Sequence, residues 1–370
     1  MKVLLTGSKG FIGRNMLVFL RETKDVEVIE FNVEDEFSKI KENIDTIDFI
    51  FHFAGINRPK DVSEFYEGNT NLTKDIINLL NEKNKKIPLI YSSSIQAELD
   101  NDYGKSKKQA EDYIINNYKY GIIYRFHNVF GKWCRPNYNS VVATFCYNIA
   151  NDLPIQINDK KTEIQLIYID DICKELISLV TDNNKTNIRI KKQINYIKPV
   201  KKITLGNLSK LIYSFRDSMR SIYTPETGNE FIKKLYSTYI SYVPIDQMHI
   251  LTKKNVDDRG SFTEINRTLN CGQFSVSISK PNVIRGNHYH NTKVERFIVI
   301  KGIAKIKFEH VVTGEKVEFV VDENNIEIVT IPVGYTHNIE NIGDGEMILL
   351  IWCNELFDPE NPDTFYLEIK

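Results

Sequence analysis

The sequence predicts a doubly wound parallel α/β sheet over residues 1–245, followed by an all-β domain over residues 250–370. Short apolar strand patterns alternate with amphipathic helix patterns in the first part, which is typical of parallel sheets whose strands are joined by helices. A glycine-rich turn links the first strand to the first helix. Near Leu251 the helical periodicity ends, and short strands separated by glycine turns follow.

The length, composition and charge are those of a soluble protein with enough residues for two cores. The chain has 370 residues, 42% hydrophobic, and a formal net charge of −1. This charge balance gives no support for nucleic-acid or polybasic membrane binding, and the longest apolar run, Met347–Cys353, is too short to cross a membrane. The five scattered cysteines lack a CxxC pair, and the chain enters its first strand without a signal-peptide pattern. We therefore expect a cytoplasmic protein with no membrane insertion and no nucleic-acid partner.

The first strand pattern, Lys2–Thr6, leads into a glycine-rich turn and then an amphipathic helix pattern. Glycines at such a turn let backbone N–H groups and the helix N-terminus approach a pyrophosphate. Because the turn lies between a strand and a helix, it predicts a dinucleotide site. The residues expected to bind the cofactor here are Thr6, Gly7, Lys9, Gly10, Phe11, Ile12 and Gly13.

The end of the second strand pattern normally carries the residue that distinguishes NAD from NADP. Glu30 and Asn32 lie there, and no clean Asp or Arg stands out. Lys9 and Arg14 flank the glycine turn and could pair with a 2′-phosphate, although both could equally be solvated surface bases. We favour NADPH as the cofactor, with NADH as the alternative.

Tyr103 and Lys107 are four residues apart. Asn101 and Asp102 precede them and suit a helix start, so we expect a helix here. Both side chains would then leave the same face of that helix, one turn apart. The Lys107 charge is expected to lower the pKa of the phenol, which could then exchange a proton with a carbonyl oxygen. Ser94, at a strand end, could hold the same oxygen. The alternative is an ordinary exposed helix.

Seven ordered motifs make this part of the chain resemble the extended short-chain dehydrogenase/reductase family. They are the turn at 6–13, the strand motif at 52–55, Asn69, Ser94, the pair Tyr103 and Lys107, the Arg125–Asn128–Gly131 motif and the segment 168–171. The resemblance implies a nicotinamide cofactor and usually a nucleotide-activated sugar as substrate. It makes Ser94, Tyr103 and Lys107 catalytic, and it adds His52, Ala54, Gly55, Asn69, Tyr103 and Lys107 to the cofactor-binding residues.

One departure from the family narrows the reaction. Sugar-nucleotide 4,6-dehydratases of this family carry carboxylates directly after the strand-end hydroxyl residue, whereas Ser94 is followed by Ile95 and Gln96. This argues against a dehydratase and leaves a reductase or a C4 epimerase. Tyr103 follows Ser94 by only nine residues, which is short for the epimerases.

The family also implies where the substrate binds. The segment 128–139 lies where the family places its sugar-nucleotide loop, although it could simply be a structured loop before a helix near Ser140. The substrate residues implied in this region are Arg125, Asn128, Trp133, Arg135, Asn137 and Asn139.

The chemistry of the all-β part lies in His288 and His290, with Glu295 and the distant His337. In a strand, residues i and i+2 point to the same face, so the two neighbouring histidines converge. Three imidazoles and a carboxylate suit a divalent metal, with Zn²⁺ favoured. The spacing resembles the cupin signature, and this resemblance implies a cupin barrel. The alternative to metal binding is a metal-free cupin whose histidines serve acid/base chemistry or packing.

The segments 257–264 and 283–289 also resemble nucleotide-sugar 3,5-epimerases, which are cupins too. That resemblance implies proton removal beside a ketone. His288 would be either ligand or base, because a ligand imidazole has no free lone pair for proton abstraction. If His288 is a ligand, Tyr335 and His310 are the candidate bases.

Together the two parts resemble bifunctional enzymes of bacterial capsular polysaccharide synthesis on the UDP-N-acetyl-L-fucosamine route. The resemblance implies that the cupin domain epimerises C3 of a UDP-2-acetamido-2,6-dideoxy-4-keto-hexose and that the reductase domain then reduces C4 to give UDP-2-acetamido-2,6-dideoxy-L-talose. Epimerisation comes first because the C3 proton is acidic only while C4 is a ketone. The resemblance also implies a homodimer. The alternatives are a single-activity 4-ketoreductase with the cupin as an assembly module, and a nucleotide-sensing regulator without turnover.

Overall fold

The computed structural model describes residues 1–369 and divides the chain into two compact units. The first unit comprises Met1–Tyr213 and Lys234–Val243, and the second comprises Ser214–Lys233 and the chain from Pro244 onward. The predicted boundary between 245 and 250 falls close to the second of these divisions. The segment 214–233 was expected in the first domain, but it groups with the second unit.

Backbone pairing explains the grouping of this segment. Tyr223 forms a parallel bridge with Arg267, and the Arg267 N–H donates to the Ile222 carbonyl over 2.7 Å. The Thr224 N–H donates to the Arg267 carbonyl over 2.8 Å. These contacts join residues far apart in sequence, so composition along the chain does not indicate them.

The part of the chain before Pro244 alternates strands and helices. Its strands are β1 (Lys2–Thr6), β2 (Glu27–Phe31), β3 (Phe49–His52), β4 (Leu89–Ser94), β5 (Gly121–Phe126), β6 (Asn128–Phe130), β7 (Glu163–Tyr168), β8 (Ile194–Asn195) and β9 (Lys201–Thr204). Its helices are α1 (Phe11–Glu22), α2 (Ser38–Asn43), α3 (Ser63–Tyr66), α4 (Leu72–Glu82), α5 (Asp102–Asn117), α6 (Val141–Ala150), α7 (Ile169–Thr181), α8 (Asn183–Lys192), α9 (Leu205–Met219) and α10 (Glu230–Ile240). A π-helical turn at Glu67–Asn71 separates α3 from α4, and a 3₁₀ turn at Ile95–Glu98 follows β4.

The main sheet of the first unit is parallel, with strand order β2-β1-β3-β4-β5-β8. Successive residues of β1 point to opposite faces: Val3 and Leu5 pack in the core that contains α1 and α7, and Leu4 packs in the core that contains α4 and α5. Helices therefore cover both faces, as the doubly wound prediction requires. The order reverses between β1 and β3, and ligands bind at the carboxyl ends of strands at such a switch point. A smaller sheet has the order β6-β7-β9.

The second unit is built mainly from antiparallel strands. They are β10 (Lys254–Asp257), β11 (Gly260–Thr268), β12 (Gly272–Ser279), β13 (Ile284–Tyr289), β14 (Glu295–Lys301), β15 (Ile303–His310), β16 (Lys316–Asp322), β17 (Val329–Ile331), β18 (Tyr335–Asn341), β19 (Met347–Cys353) and β20 (Phe365–Tyr366), after a 3₁₀ turn at Ile245–Gln247. One sheet has the order β10-β11-β12-β19-β14-β17, and the other has the order β16-β15-β18-β13-β20. Phe297 and Leu349 of the first sheet share a core with Ile306 and Ile339 of the second. The all-β prediction for this part of the chain is confirmed.

Within residues 1–369, no helix has both the length and the apolar composition that a membrane crossing demands.

Candidate active site and metal cluster

The glycine turn after β1 brings the backbone close to the start of α1. Gly7 has φ +70°, and a Cβ there would lie 2.7 Å from the Ala54 nitrogen. A Cβ on Gly13 would lie 2.1 Å from the Gly7 carbonyl oxygen, so only glycine lets the helix start this close to the turn. Gly10 precedes α1 and has no side chain to occupy the first N–H groups of the helix. The turn therefore fits a dinucleotide pyrophosphate.

A cavity of about 980 Å³ in the first unit contains most of the predicted site. Its lining brings the glycine turn together with the catalytic candidates and the end of β4. The predicted residues that line it are Gly7, Lys9, Gly10, Phe11, Ile12, Gly13, Gly55, Asn69, Ser94, Tyr103, Lys107, Asn128, Trp133, Arg135 and Asn139. Thr6, His52, Ala54, Arg125 and Asn137 are not lining residues.

Thr6, His52 and Ala54 support the turn from behind the cavity. Thr73 Oγ1 donates to the Asn69 carbonyl, so it accepts from His52 Nε2 over 2.9 Å. His52 Nδ1 then accepts from Thr6 Oγ1 over 2.7 Å, and Thr6 Oγ1 accepts from the Ala54 N–H. Complete burial lowers the pKa of His52 to about 3. His52 is therefore a neutral brace between strands, and Thr6, His52 and Ala54 lie behind the lining of the cavity rather than in it.

Ser94, Tyr103 and Lys107 meet at the wall of the cavity. Asn101 caps α5 by accepting from the Gly104 N–H over 2.8 Å, which sets the first turn that carries Tyr103. Ser94 hydrogen bonds to the Tyr103 phenol. Lys107, one turn further along α5, donates to the Ser92 carbonyl over 3.0 Å and lies 4.8 Å from the centre of the Tyr91 ring.

The expected fall in the pKa of Tyr103 is wrong for the chain without bound ligands. Burial raises this pKa to about 12, and the hydrogen bond with Ser94 opposes the rise only in part. Burial also lowers the pKa of Lys107 to about 8, against the charge of Glu111. The spacing of Tyr103 and Lys107 predicted that both side chains share a face of the helix. It could not show that burial raises the pKa of the phenol by more than the lysine charge lowers it.

The short link between Ser94 and Tyr103 is tightly packed. The 3₁₀ turn at Ile95–Glu98 lies against the start of α5, and a Cβ on Gly104 would be 2.1 Å from the Gln96 carbonyl oxygen. Ser94 Oγ also accepts from the Gln96 N–H over 3.2 Å. Gln96 itself lines the cavity, in the place where the dehydratases of the family carry a carboxylate.

Asn69 joins the loop after β3 to α5. It is completely buried in the π-helical turn, where its Oδ1 accepts from the Ile56 N–H and its Nδ2 donates to the Ile56 carbonyl and to Ser106 Oγ. A Cβ on Gly55 would lie 2.5 Å from Asn69 Oδ1 and 3.1 Å from Lys107 Nζ. Such π-turns occur often at functional sites, and this one places an amide on the same side of Gly55 as Lys107 Nζ.

Two predicted substrate residues face away from the cavity. Arg125 is 6% exposed and donates from Nε and Nη2 to Glu111, and from Nη1 to Glu98. Its charge is therefore neutralised inside the fold, and we withdraw it from the substrate site. Asn137 donates from its backbone N–H to Thr144 Oγ1 and from Nδ2 to Asn148, so it shapes the loop instead.

The structure adds residues that sequence reasoning missed. Two guanidinium groups lie beside the Tyr138 ring, with Arg135 at 5.0 Å and Arg58 at 5.3 Å from its centre. Arg135 and Tyr138 line the cavity, and Arg58 lies just outside its lining. Tyr242 lines the cavity and donates its hydroxyl to the Cys134 carbonyl over 2.6 Å. Arg58 follows the motif at 52–55 by three residues. A basic residue in that loop was the sequence feature from which a role for Arg58 could have been predicted.

The second unit brings together the four predicted metal ligands. The candidate donor atoms of His288, His290, Glu295 and His337 all lie within 4.8 Å of one another. A bulge at Gly286–His288 turns β13 so that His288 pairs with His337 on β18, and the His288 and His290 rings are 5.0 Å apart. Glu295 Oε2 is 3.2 Å from His337 Nε2 and 3.5 Å from His290 Nε2.

The electrostatics of this metal cluster fit a cation. The Nε2 atoms of His290 and His337 are buried and have no hydrogen-bond partner among residues 1–369. Although burial opposes it, the nearby His290 and His337 rings hold the pKa of the Glu295 carboxyl below its ordinary value. Burial, reinforced by the neighbouring His337, lowers the pKa of His288 to about 4. A carboxylate beside three imidazoles, two of which have an Nε2 atom without a hydrogen-bond partner, is a donor set that suits a divalent metal.

Two family models match the chain. The model of the NAD dependent epimerase/dehydratase family covers residues 3–191, and that of the polysaccharide biosynthesis C-terminal domain covers residues 255–365. The chain belongs to the NAD dependent epimerase/dehydratase family. One relative is similar over its full length: the UDP-2-acetamido-2,6-beta-L-arabino-hexul-4-ose reductase of Pseudomonas aeruginosa is 42% identical over 99% of this chain and 98% of its own length.

A solved structure is also similar to this chain over its full length. The capsular polysaccharide assembling protein CapF from Staphylococcus aureus is similar over the whole of both chains, with 42% identity and a TM-score of 0.88. UDP-glucuronic acid 4-epimerase from Bacillus cereus, in complex with NAD, matches 59% of this chain and 85% of its own, with 17% identity and a TM-score of 0.52. At that identity the epimerase shows the fold of the family alone.

Proposed function

We propose that this chain is a bifunctional nucleotide-sugar enzyme of capsular polysaccharide synthesis. The second unit, as a metal-binding cupin barrel, epimerises C3 of a UDP-2-acetamido-2,6-dideoxy-4-keto-hexose. The first unit then reduces the C4 ketone with NADPH to give UDP-2-acetamido-2,6-dideoxy-L-talose. The observation that carries the reductase half is the meeting of Ser94, Tyr103 and Lys107 in the cavity that also contains the glycine turn. The full-length similarity to a hexul-4-ose reductase supports the same substrate class.

The residues of the first unit supply the proton chemistry of the reduction. A bound nicotinamide supplies the hydride for C4. The Tyr103 phenol is protonated at neutral pH, since its pKa is about 12, and it donates its proton to the C4 oxygen as that oxygen becomes a hydroxyl. Ser94 holds the oxygen in place, and the Lys107 ammonium, one turn away, stabilises the phenolate that remains.

The surroundings of the second strand support NADPH. The Glu30 carboxylate already accepts from Ser8 Oγ over 2.7 Å and from Arg21 Nη2 over 3.1 Å, so it is engaged before any ribose binds. Lys9 and Arg14 both line the cavity beside the turn. A 2′-phosphate would find these two cations there, although Lys9 must exchange its present partner, Glu34.

Arg58 and Arg135 support recognition of the substrate's diphosphate. The two guanidinium groups both lie close to the Tyr138 ring, and neither has a carboxylate partner among the described residues. Guanidinium groups bind phosphate oxygens through paired N–H donors, and a neighbouring aromatic ring keeps them oriented. We propose that they hold the UDP diphosphate while Trp133 and Asn139 contact the rest of the nucleotide sugar.

The metal cluster supports the epimerase half. His288, His290, Glu295 and His337 would hold the ion, with Zn²⁺ favoured, and a bound divalent metal supplies a Lewis acid for the ketone. The candidate base His310 accepts from the Val312 and Thr313 N–H groups at Nδ1, so that nitrogen is not free to take a proton. This leaves Tyr335, whose ring meets His310 edge-on at 4.8 Å, as the better candidate base if His288 is a ligand.

The name of the Pseudomonas relative favours a second candidate function, because it describes a reductase and no epimerase. In that case the chain is a single-activity 4-ketoreductase and the second unit mediates assembly. The two functions differ in whether the second unit moves the C3 proton. We also propose a homodimer, on the family resemblance.

The deciding experiment supplies the UDP-4-keto sugar in D₂O, first without NADPH and then with it. We expect deuterium at C3 before any cofactor is added, and ketone reduction only afterwards. Tyr103→Phe should lose reduction and keep the exchange, whereas His290→Gln should lose the exchange. Absence of exchange in the wild type, with reduction intact, would favour the single-activity reductase.

A further inference from the structure

The C-terminal segment, defined as residues 354–369, returns to the strand that carries the metal cluster. Strand β20 pairs antiparallel with the end of β13, so that Tyr366 lies opposite His288 and Phe365 lies opposite Tyr289. The Leu367 N–H donates to the Asn287 carbonyl over 2.9 Å. The segment is therefore bound along the backbone of a metal-site strand.

Asp363 in this segment binds the turn that follows His290. Its carboxylate accepts from three successive backbone N–H groups, those of Asn291 at 2.9 Å, Thr292 at 2.7 Å and Lys293 at 2.8 Å. Thr292 Oγ1 adds a fourth hydrogen bond at 3.0 Å. Successive N–H groups that converge in this way form a concave anion site, and here the anion comes from the chain itself.

The same residue also binds the imidazole of His290. The backbone carbonyl of Asp363 hydrogen bonds to His290 Nδ1, and a carbonyl oxygen can only accept, so Nδ1 carries the proton. In the neutral ring the lone pair is then on Nε2. That nitrogen is buried, and it faces Glu295 at 3.5 Å. The hydrogen bond thus selects the nitrogen that is offered to the metal cluster.

We propose that Asp363 is a positioning residue for the metal site: its carboxylate fixes the backbone after His290 while its carbonyl fixes the tautomer and orientation of the His290 ring. This inference rests on the proposed metal-binding function of the second unit. His337 has a longer contact of this kind, 3.4 Å from its Nδ1 to the Tyr335 carbonyl, and that acceptor lies on its own strand. The C-terminal segment therefore acts on the affinity for metal mainly through His290.

The test measures zinc affinity in the full chain, stripped of metal and titrated with Zn²⁺ against a competing chelator. Asp363→Ala removes the acceptor for three N–H groups and should weaken zinc binding about tenfold, as loss of ligand-orienting contacts does in other sites. Asp363→Asn keeps one accepting oxygen, so its zinc affinity should lie between that of the wild type and that of Asp363→Ala. Asp358→Ala is the matched control, because Asp358 lies in the same segment and caps the Glu360 N–H. Its zinc affinity should equal that of the wild type.

A spectroscopic measurement separates positioning from general loss of structure. In ¹⁵N-histidine NMR of the metal-free chain, His290 should show the Nδ1–H tautomer in the wild type and a mixture of tautomers in Asp363→Ala. Unchanged zinc affinity in Asp363→Ala, or a tautomer that stays the same while affinity falls, would overturn the inference. Failure of C3 exchange in a wild type that binds zinc in an Asp363-dependent way would overturn the epimerase proposal and leave this one standing.

Discussion

Arg125 and Glu111 form a two-pronged ion pair inside the first unit, with Nε 2.8 Å from Oε1 and Nη2 2.6 Å from Oε2. Ser93 Oγ donates to the same carboxylate over 2.5 Å. Glu111 lies one turn after Lys107 on α5, and Arg125 lies on β5. The pair therefore ties α5, the helix that carries Tyr103 and Lys107, to the sheet beside the candidate site.

Breaking this pair from one side should be costly. Arg125→Met leaves the Glu111 charge buried without its partner, and we expect a loss of about 3–5 kcal/mol in the free energy of unfolding. Arg125→Met combined with Glu111→Leu should recover much of that loss, because no buried charge remains. Urea denaturation of the single and double variants measures this cycle. Losses that simply add would contradict a direct coupling between the two residues.

Lys107→Met should abolish reduction and yet stabilise the cofactor-free chain at neutral pH. Burial lowers the pKa of Lys107 to about 8, from an ordinary 10.5, so folding penalises its charged form below pH 8. Between about pH 8 and 10.5 the unfolded chain binds a proton that the folded chain does not. The wild type should therefore gain stability with rising pH relative to Lys107→Met, by at most about 1.4 kcal/mol per pH unit.

Thermal unfolding across pH 7 to 10.5 measures this difference. Lys108→Met is the matched control, since Lys108 lies next to Lys107 on α5 and pairs with Asp112 at the surface. If the unfolding temperatures of the wild type and of Lys107→Met change with pH in parallel from pH 7 to 10.5, burial of the Lys107 ammonium does not destabilise the fold.

Arg58→Ala and Arg135→Ala should each raise KM for the UDP sugar by about 10- to 100-fold, since each removes a charged donor worth about 1.5–3 kcal/mol. The value of kcat should change little, because neither group contacts the reacting carbon in the proposed pose. Steady-state kinetics at saturating NADPH measure both constants. Lys60→Ala, in the same loop as Arg58, should behave like the wild type. A rise in KM for NADPH instead would assign these arginines to the cofactor.

Glu295→Gln should lose bound zinc and keep NADPH binding. The carboxylate is the one anionic group in the metal cluster, and it lies between His290 and His337. Elemental analysis of the purified chain measures the zinc, and quenching of cofactor fluorescence measures NADPH. Full zinc content in this variant would show that the three imidazoles suffice as ligands.

Local patterns in the sequence were enough to predict much of the fold and of both sites. The strand, turn and helix around Gly7 predicted the dinucleotide turn, and the i, i+4 spacing of Tyr103 and Lys107 predicted their common face. His288 and His290 were recognised because residues two apart in a strand share a face and because their spacing with Glu295 and His337 resembles the cupin signature. In each case the decisive information lies within one or two neighbouring elements.

The features that sequence reasoning missed depend on partners that are distant along the chain. Arg125 looked available for substrate because its partner, Glu111, lies on a different element. The pKa of Tyr103 follows from burial by the whole unit rather than from the nearest lysine. Arg58 and Tyr138 stack although 80 positions separate them. Asp363 reaches His290 through the return of the C-terminal segment, which no periodicity indicates.

Gly104 limits how this enzyme can be engineered. Any side chain at position 104 would collide with the Gln96 carbonyl. The loop from Ser94 to Tyr103 and the first turn of α5 are therefore packed together and must be replaced together. A longer loop transplanted from an epimerase, or a carboxylate grafted at Gln96 to create dehydratase chemistry, must bring its own helix start with it. Exchange of the reaction type in this scaffold is therefore a matter of replacing the whole segment 94–107, not of changing single residues within it.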